Sequence, residues 1–206
     1  MAKEKEAKKE EKKAQESKPK AVVARSRKKR WYGLVAPPLF NSRRIGETLA
    51  GEPSELVGRT VKINLMNLVD DYKKQGINIK FKVKTANDDN GECETIGYEI
   101  IKSHARRMVR KGADKMDDSF IANTKDGRAF TVKPIIVTRN RVSHPTLGKM
   151  RKIAREYISA KIKELSTDEV FESVIQAKIQ KELRSSLAKL CPIGSCEIRT
   201  LELIEQ

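Results

Sequence analysis

The chain has 206 residues, with 44 Lys+Arg against 28 Asp+Glu, a net charge of +16 and a pI near 9.8. That length fits one domain with or without appendages, and a body of this size buries roughly 70% of its unfolded surface without a metal or disulfide staple. The charge calls for a polyanionic partner, while no run approaches the roughly 20 apolar residues that cross a bilayer.

The excess charge is uneven. Residues 1–30 hold thirteen basic and five acidic residues, and the other 176 hold 31 and 23, so each part is net +8. Residues 1–20 are low-complexity Lys/Glu/Ala with too little apolar surface to offset the entropy of ordering. They are expected to be disordered, either a solubilising tail or, through Glu-Lys spacing, a transient exposed helix. No apolar core of a secretory signal is present, and the mixed acids argue against a transit peptide. The three cysteines, Cys93, Cys191 and Cys196, are odd in number, which suits free thiols in a reducing compartment and a cytoplasmic protein. In residues 25–32, RSRKKRWY, the cations Arg25, Arg27, Lys28, Lys29 and Arg30 run without an acid into Trp31 and Tyr32. The expected layout is a basic arm, residues 1–30, followed by a single α+β domain, residues 31–206.

Residues 31–58 read as irregular. Pro37 and Pro38 forbid a helix, Leu39, Phe40 and Ile45 pin the segment to the body, and Arg43 and Arg44 face out. Strands follow. In TVKINL, residues 60–65, Val61, Ile63 and Leu65 alternate with polar residues, and in INIKFKVK, residues 77–84, the wet face is almost wholly lysine. Residues 94–101 are a third strand. Residues 102–111, KSHARRMVRK, read as a short helix stopped by Gly112. Residues 119–138 read as a hairpin turning at Lys125-Asp126-Gly127, with Pro134 at an edge or bulge. From Ser143 the period changes: Leu147, Met150, Ile153, Ala154, Tyr157, Ile158 and Ile162 mark an amphipathic helix with Pro145 in its first turn. Ser166 and Glu169 form a capping box for one further helix carrying Val170, Phe171, Val174, Ile175, Ile179, Leu183 and Leu187. Residues 196–204 make a last strand.

No catalytic constellation assembles. His104 lies in a basic helix and His144 precedes a proline at a helix start, 40 positions away. Cys191 and Cys196 lack the tight paired spacing of a zinc site, and no phosphate-cradling glycine loop occurs. The pairs Asp70-Asp71, Asp88-Asp89 and Asp117-Asp118 lie near turns, where Asp caps the backbone. Neither a catalytic residue, a metal nor a cofactor is expected. The cations, by contrast, recur in four places: the arm; Arg43 and Arg44; Arg106, Arg107, Arg110 and Lys111; and the acid-free stretch 138–155 with Arg139, Arg141, Lys149, Arg151, Lys152 and Arg155. Four such clusters in a small protein favour a wide phosphate-contacting surface. Trp31 and Tyr32 either stack on bases or plug a core edge. Aromatics make up 5% of the chain, too few for a base-stacking sheet.

WYGLVAPPLFNSRRIGETLAG, residues 31–51, resembles the signature block of a small-subunit ribosomal protein family of archaea and eukaryotes, "protein one-e", formerly "three-A-e". That family has a Lys/Arg-rich N-terminus, then Trp-Tyr, Ala-Pro, Phe-Asn, Arg and Ile-Gly-x-Thr-Leu. The counterparts here are Trp31, Tyr32, Ala36, Pro37, Phe40, Asn41, Arg43 or Arg44, Ile45, Gly46, Thr48 and Leu49. The segment LVGRTVKINLMNL, the turn at residues 124–127 and the basic GKMRKIARE extend the similarity to roughly residues 25–205. The chain looks archaeal in type, without the longer C-terminal extension of eukaryotic relatives. The resemblance implies an antiparallel β-barrel-like sheet packed with helices, the longest in the C-terminal third. It implies a non-enzymatic subunit of the small-subunit platform, beside the 3′ region of the rRNA and near the mRNA exit. The implied partners are that rRNA, neighbouring small-subunit proteins and mRNA at the exit. From charge alone, the alternative is a free RNA- or DNA-binding regulator with a basic tail.

Overall fold

A computed structural model describes residues 28–87 and 90–204. Among them nine strands form one largely antiparallel sheet, joined by five α-helices, so the class is α+β as expected. The strands are β1 (Arg30–Val35), β2 (Arg44–Ala50), β3 (Thr60–Asn64), β4 (Ile77–Ala86), β5 (Asn90–Ile100), β6 (Lys115–Asp117), β7 (Phe120–Asn123), β8 (Ala129–Thr138) and β9 (Ile193–Ile204). The helices are α1 (Leu65–Val69), α2 (Lys102–Met108), α3 (His144–Glu164), α4 (Thr167–Ile175) and α5 (Lys178–Ala188).

Two long strands organise the sheet. One edge of β5 is taken by β4, and its other edge is shared, first by β1 in the sheet's parallel pairing and then by β9. Strand β8 has β9 along one edge, with β7 and β6 dividing the other. Pro134 sits where the second edge changes partner, beside a bulge against β9, so its missing N–H leaves no ladder bond unmade. The hairpin of β7 and β8 turns at Gly127, whose φ of 76° a Cβ would disfavour. The apolar faces of both halves of the sheet meet the helices in one buried cluster. Helix α3 contributes the stripe Met150, Ala154, Ile158 and Ile162, one residue every four, while Ile153 points outward. Phe130 of β8 and Phe171 of α4 cross edge-to-face at 5.4 Å, and Phe40 and Phe81 do so at 5.5 Å.

Two expectations need correction. Residues 31–58 are not irregular: β1 and β2 pair antiparallel around a 3-10 turn at Pro38–Phe40. A bulge puts Ile45 between Gly46, opposite Leu34, and Arg44, opposite Val35, so the alternation changes phase within the strand. The helix after Ser166 is likewise two helices, broken at Ala177 with φ of 57°. The buried amide of Gln180 donates to the Val174 carbonyl, which also takes the Ala177 N–H at the break. The capping box itself is present, with the Glu169 carboxylate accepting the Ser166 N–H at 2.8 Å.

Candidate nucleic-acid interface

The sequence-predicted cations do not all have the same surroundings. The lysine face of β4 is neutralised from the neighbouring strands: Lys80 pairs with Glu202, and Lys84 lies 3.7 Å from Glu94. Glu94 also accepts from Arg128 at 2.5 Å, and this bond chiefly holds its carboxyl below the ordinary value. Arg43 donates to Asp70 at 2.6 Å and to the Leu68 carbonyl at 3.3 Å, tying the β1–β2 turn to the end of α1. Arg44 pairs with Glu47 at 2.8 Å. Arg155 grips Asp118 with a forked pair of bonds at 2.9 Å and lies over the Phe120 ring. Burial raises the Asp118 carboxyl, but the Arg155 bonds, the Ser119 N–H and the nearby Arg151 charge outweigh it and hold the group below its usual range. Arg43, Arg44 and Arg155 are exposed, Arg43 and Arg44 facing out as expected, and each already has a carboxylate partner within the chain.

Trp31 and Tyr32 face opposite ways because successive strand residues alternate. Trp31 is 68% exposed and lies across from Leu49, whereas Tyr32 is 3% exposed and belongs to the core. The Tyr32 ring has no free face for a base and is withdrawn from the site. Lys28, Lys29 and Arg30 are exposed at the entry to β1; Arg25 and Arg27 lie outside the described residues.

The uncompensated cations gather around α2. Ala105 and Met108 pack against the core, and the Ile101 N–H bonds to the Gly76 carbonyl at 2.9 Å, fixing the helix against the start of β4. Gly76 must be small, since a Cβ there would stand 2.8 Å from the His104 ring. The opposite wall is set by Asp114. Its carbonyl takes the Thr138 N–H at 2.9 Å and its carboxylate takes the Val142 N–H at 2.7 Å, while the Arg139 N–H bonds to the Pro192 carbonyl at 2.9 Å. Between these walls lies an open groove of about 760 Å³ lined by Lys73, Arg107, Arg110, Lys111, Arg139 and Arg184. Tyr72, Gln75, His104, Thr138 and Ser195 add to its polar lining, and none of the described residues that line it is acidic. Among the described residues none of the six cations has a carboxylate in ion-pair range. Arg184 instead donates to the Ile193 carbonyl at 3.3 Å. On the other flank of α2 a hollow of about 420 Å³ collects Lys102, Arg106, Lys115 and Arg199 around Ala105, Val109 and Ile135; Glu99 also lines it and Lys115 pairs with Asp117, so this side is not acid-free.

The structure thus joins Arg107, Arg110 and Lys111 to Arg139, puts Arg106 on the other flank of α2, and leaves Arg141, Lys149, Arg151 and Lys152 exposed outside the groove. Sequence reasoning missed Lys73, Arg184 and Tyr72. Tyr72 had a legible signal: an aromatic inside DDYKKQG has no apolar neighbour to carry it into a core. Arg184 had none, being one cation among several on a helix surface. The thiols are all buried, and burial raises Cys93 to about 11 and Cys196 to about 12, which keeps them protonated and poorly nucleophilic.

The Ribosomal S3Ae family matches residues 17–206. The chain belongs to that family. It is similar to the small ribosomal subunit protein eS1 of Desulfurococcus amylolyticus, 30% identical over 189 residues that cover 91% of this chain and 89% of the relative. The protein of the same name from Halorubrum lacusprofundi is 33% identical over 88% of this chain and 85% of its own length. That from Methanothermobacter thermautotrophicus is 27% identical over 87% and 92%. The resemblance read from residues 31–51 is borne out.

Proposed function

We propose that this chain is a structural, non-catalytic component of the small ribosomal subunit that binds rRNA by neutralising phosphate. The observation that carries the reading is the acid-free groove between α2 and the β8–α3 connection, found in a member of a ribosomal protein family whose relatives bear small-subunit names. Lys and Arg held in such a groove displace condensed counterions and let a folded RNA approach. In this reading residues 31–206 are the rRNA-binding body, and the arm, residues 1–30, most of which lies outside the described residues, adds phosphate contacts. The exposed row of Lys149, Arg151 and Lys152 on α3 widens the footprint beyond the groove. The partners are small-subunit rRNA and neighbouring small-subunit proteins. The position is the platform beside the rRNA 3′ region, where mRNA leaves, and the location is the cytoplasmic ribosome.

Sedimentation tests this. Tagged chain in cell extract should co-migrate with small subunits through a high-salt wash, and replacing Arg25, Arg27, Lys28, Lys29 and Arg30 with Gln should lower its occupancy and flatten the salt dependence. Recovery of the chain in light fractions, free of subunits, refutes the proposal.

A further inference from the structure

The rRNA-binding reading leaves open what form of RNA the groove accepts. Its dimensions and its rim decide between a helix and an unpaired residue. Hollows of roughly 300–1,000 Å³ enclose one compact molecule, and the groove beside α2 falls within that range at about 760 Å³. An A-form duplex presents its phosphates along convex ridges with its bases inside the stack, so it can lie across such a groove but cannot fill it. A nucleotide turned out of a helix can. It would carry a phosphate on each side into the cations of the walls and a flat base into the middle.

The rim supplies the complement to that base. Tyr72 lines the groove and is 84% exposed, the most exposed of the large apolar or aromatic side chains identified as exposed. It stands on the 3-10 turn Tyr72–Lys74, whose start is fixed by the Asp71 carboxylate accepting the Lys73 N–H at 3.0 Å. An exposed ring costs free energy in water unless a partner covers it, and here every charged neighbour along the groove is a cation suited to phosphate. An aromatic ring on the rim of a cation-lined groove is an arrangement that holds single-stranded nucleic acid, in which bases stack on aromatics and the backbone follows the positive charge.

Resting on the rRNA-binding function proposed above, we infer that this groove captures an extruded, unpaired RNA nucleotide, whose base stacks on Tyr72 while its flanking phosphates are held by Arg107, Arg110, Lys111 and Arg139.

The test uses the full chain and two RNA probes at one ionic strength. One is a short duplex with a single bulged 2-aminopurine nucleotide; the other is the perfect duplex without it. Wild type should bind the bulged probe about tenfold more tightly and quench its fluorescence, as expected for one base stacked on one aromatic. Tyr72→Leu should lose both the preference and the quench, whereas Tyr72→Phe and the control Trp31→Leu should keep them. The Tyr72 ring is largely outside the packed body, so thermal unfolding should not change in Tyr72→Leu. Equal binding of the two probes by wild type, or a preference surviving in Tyr72→Leu, overturns the inference and leaves the rRNA-binding function standing. Transfer of the loss to Trp31→Leu does the same. Failure of wild type to bind either probe overturns both.

Discussion

Replacing Arg107, Arg110 and Arg139 together with Gln separates a groove from a diffuse positive charge. These three line the same groove, and none has a carboxylate in ion-pair range among the described residues. Each phosphate neutralised on a single strand contributes about −0.7 to the slope of log K against log salt. Six groove cations fully engaged therefore account for a slope near −4, and removing three should flatten it by about 2, a hundredfold smaller loss of affinity over a tenfold rise in salt. The controls are Arg43→Gln and Arg155→Gln, which remove the same charge from sites already committed to Asp70 and Asp118. They should leave the slope where it is. The assay is fluorescence anisotropy of a labelled single-stranded RNA titrated with the full chain across a salt series. If either control flattens the slope as much, per charge, as the triple variant, net charge rather than the groove binds the RNA, and the reasoning fails.

Phe171→Ala empties a fully buried site and breaks the edge-to-face pair with Phe130, so it should cost about 3–5 kcal/mol in denaturant unfolding; a loss under about 1 kcal/mol would mean the core closes over the gap. Gly76→Ala forces a methyl within 2.8 Å of the His104 ring, and relief has to come from moving α2. Overpacking of this kind costs about 1–3 kcal/mol, and RNA affinity should fall along with stability, whereas unchanged affinity would detach α2 from the interface. Acid should destabilise the fold. Glu94, held low by Arg128, and Glu202, held low by Lys80, both have folded values below their ordinary 4.5. Their contribution is therefore present above pH 4.5 and disappears as pH drops through the lower folded values. Denaturant midpoints measured between pH 7 and pH 3 should be flat at first and then fall below about pH 4.5. Glu197 acts in the opposite sense, since burial raises its carboxyl. Glu197→Gln should therefore stabilise the protein at pH 7, and a loss of stability there would show that its charge is compensated.

What the sequence made legible follows from the range of each interaction. Strands β3, β4 and β5 and the β7–β8 hairpin were readable because period two survives along them and Gly127 marks the turn. Strand β2 was not, because the bulge at Ile45 shifts its inward residues from one parity to the other. The break at Ala177 was hidden for the converse reason: Phe171, Ile175, Ile179, Leu183 and Leu187 stay four apart across it, so the apolar phase continues where the backbone does not. For the site, cation clusters were visible but their partners were not. Lys80 meets Glu202 from 122 positions away, and Arg155 meets Asp118 from 37. The first pair meets across β4, β5 and β9 and the second where α3 packs beside β7, and no local pattern encodes either.

The two populations of cations differ in what folding alone requires of them. On the sheet, Lys62, Lys80, Lys84 and Arg128 are matched by Glu94, Glu99 and Glu202, so their charge is settled within the chain. Around α2 the opposite holds. Lys102, Arg106, Arg107, Arg110 and Lys111 fall within ten positions with no acid among them, in and just beyond a helix of 7 residues. Like charges one turn apart, as at Lys102 and Arg106, cost a short helix a few tenths of a kcal/mol per pair. Stability would favour an acid at position 102, in the first turn, as it has one beside Lys62, Lys80 and Lys84. Favourable placement of Arg106 and Arg107 at the negative end of the helix dipole offsets part of that cost, but it does not extend to Arg139 and Arg184 across the groove. The self-repulsion of the groove is relieved when a polyanion enters it, so the binding free energy includes strain that the free protein carries. This local imbalance, more than the net charge of +16, is the ground on which the groove is proposed as the RNA-binding surface.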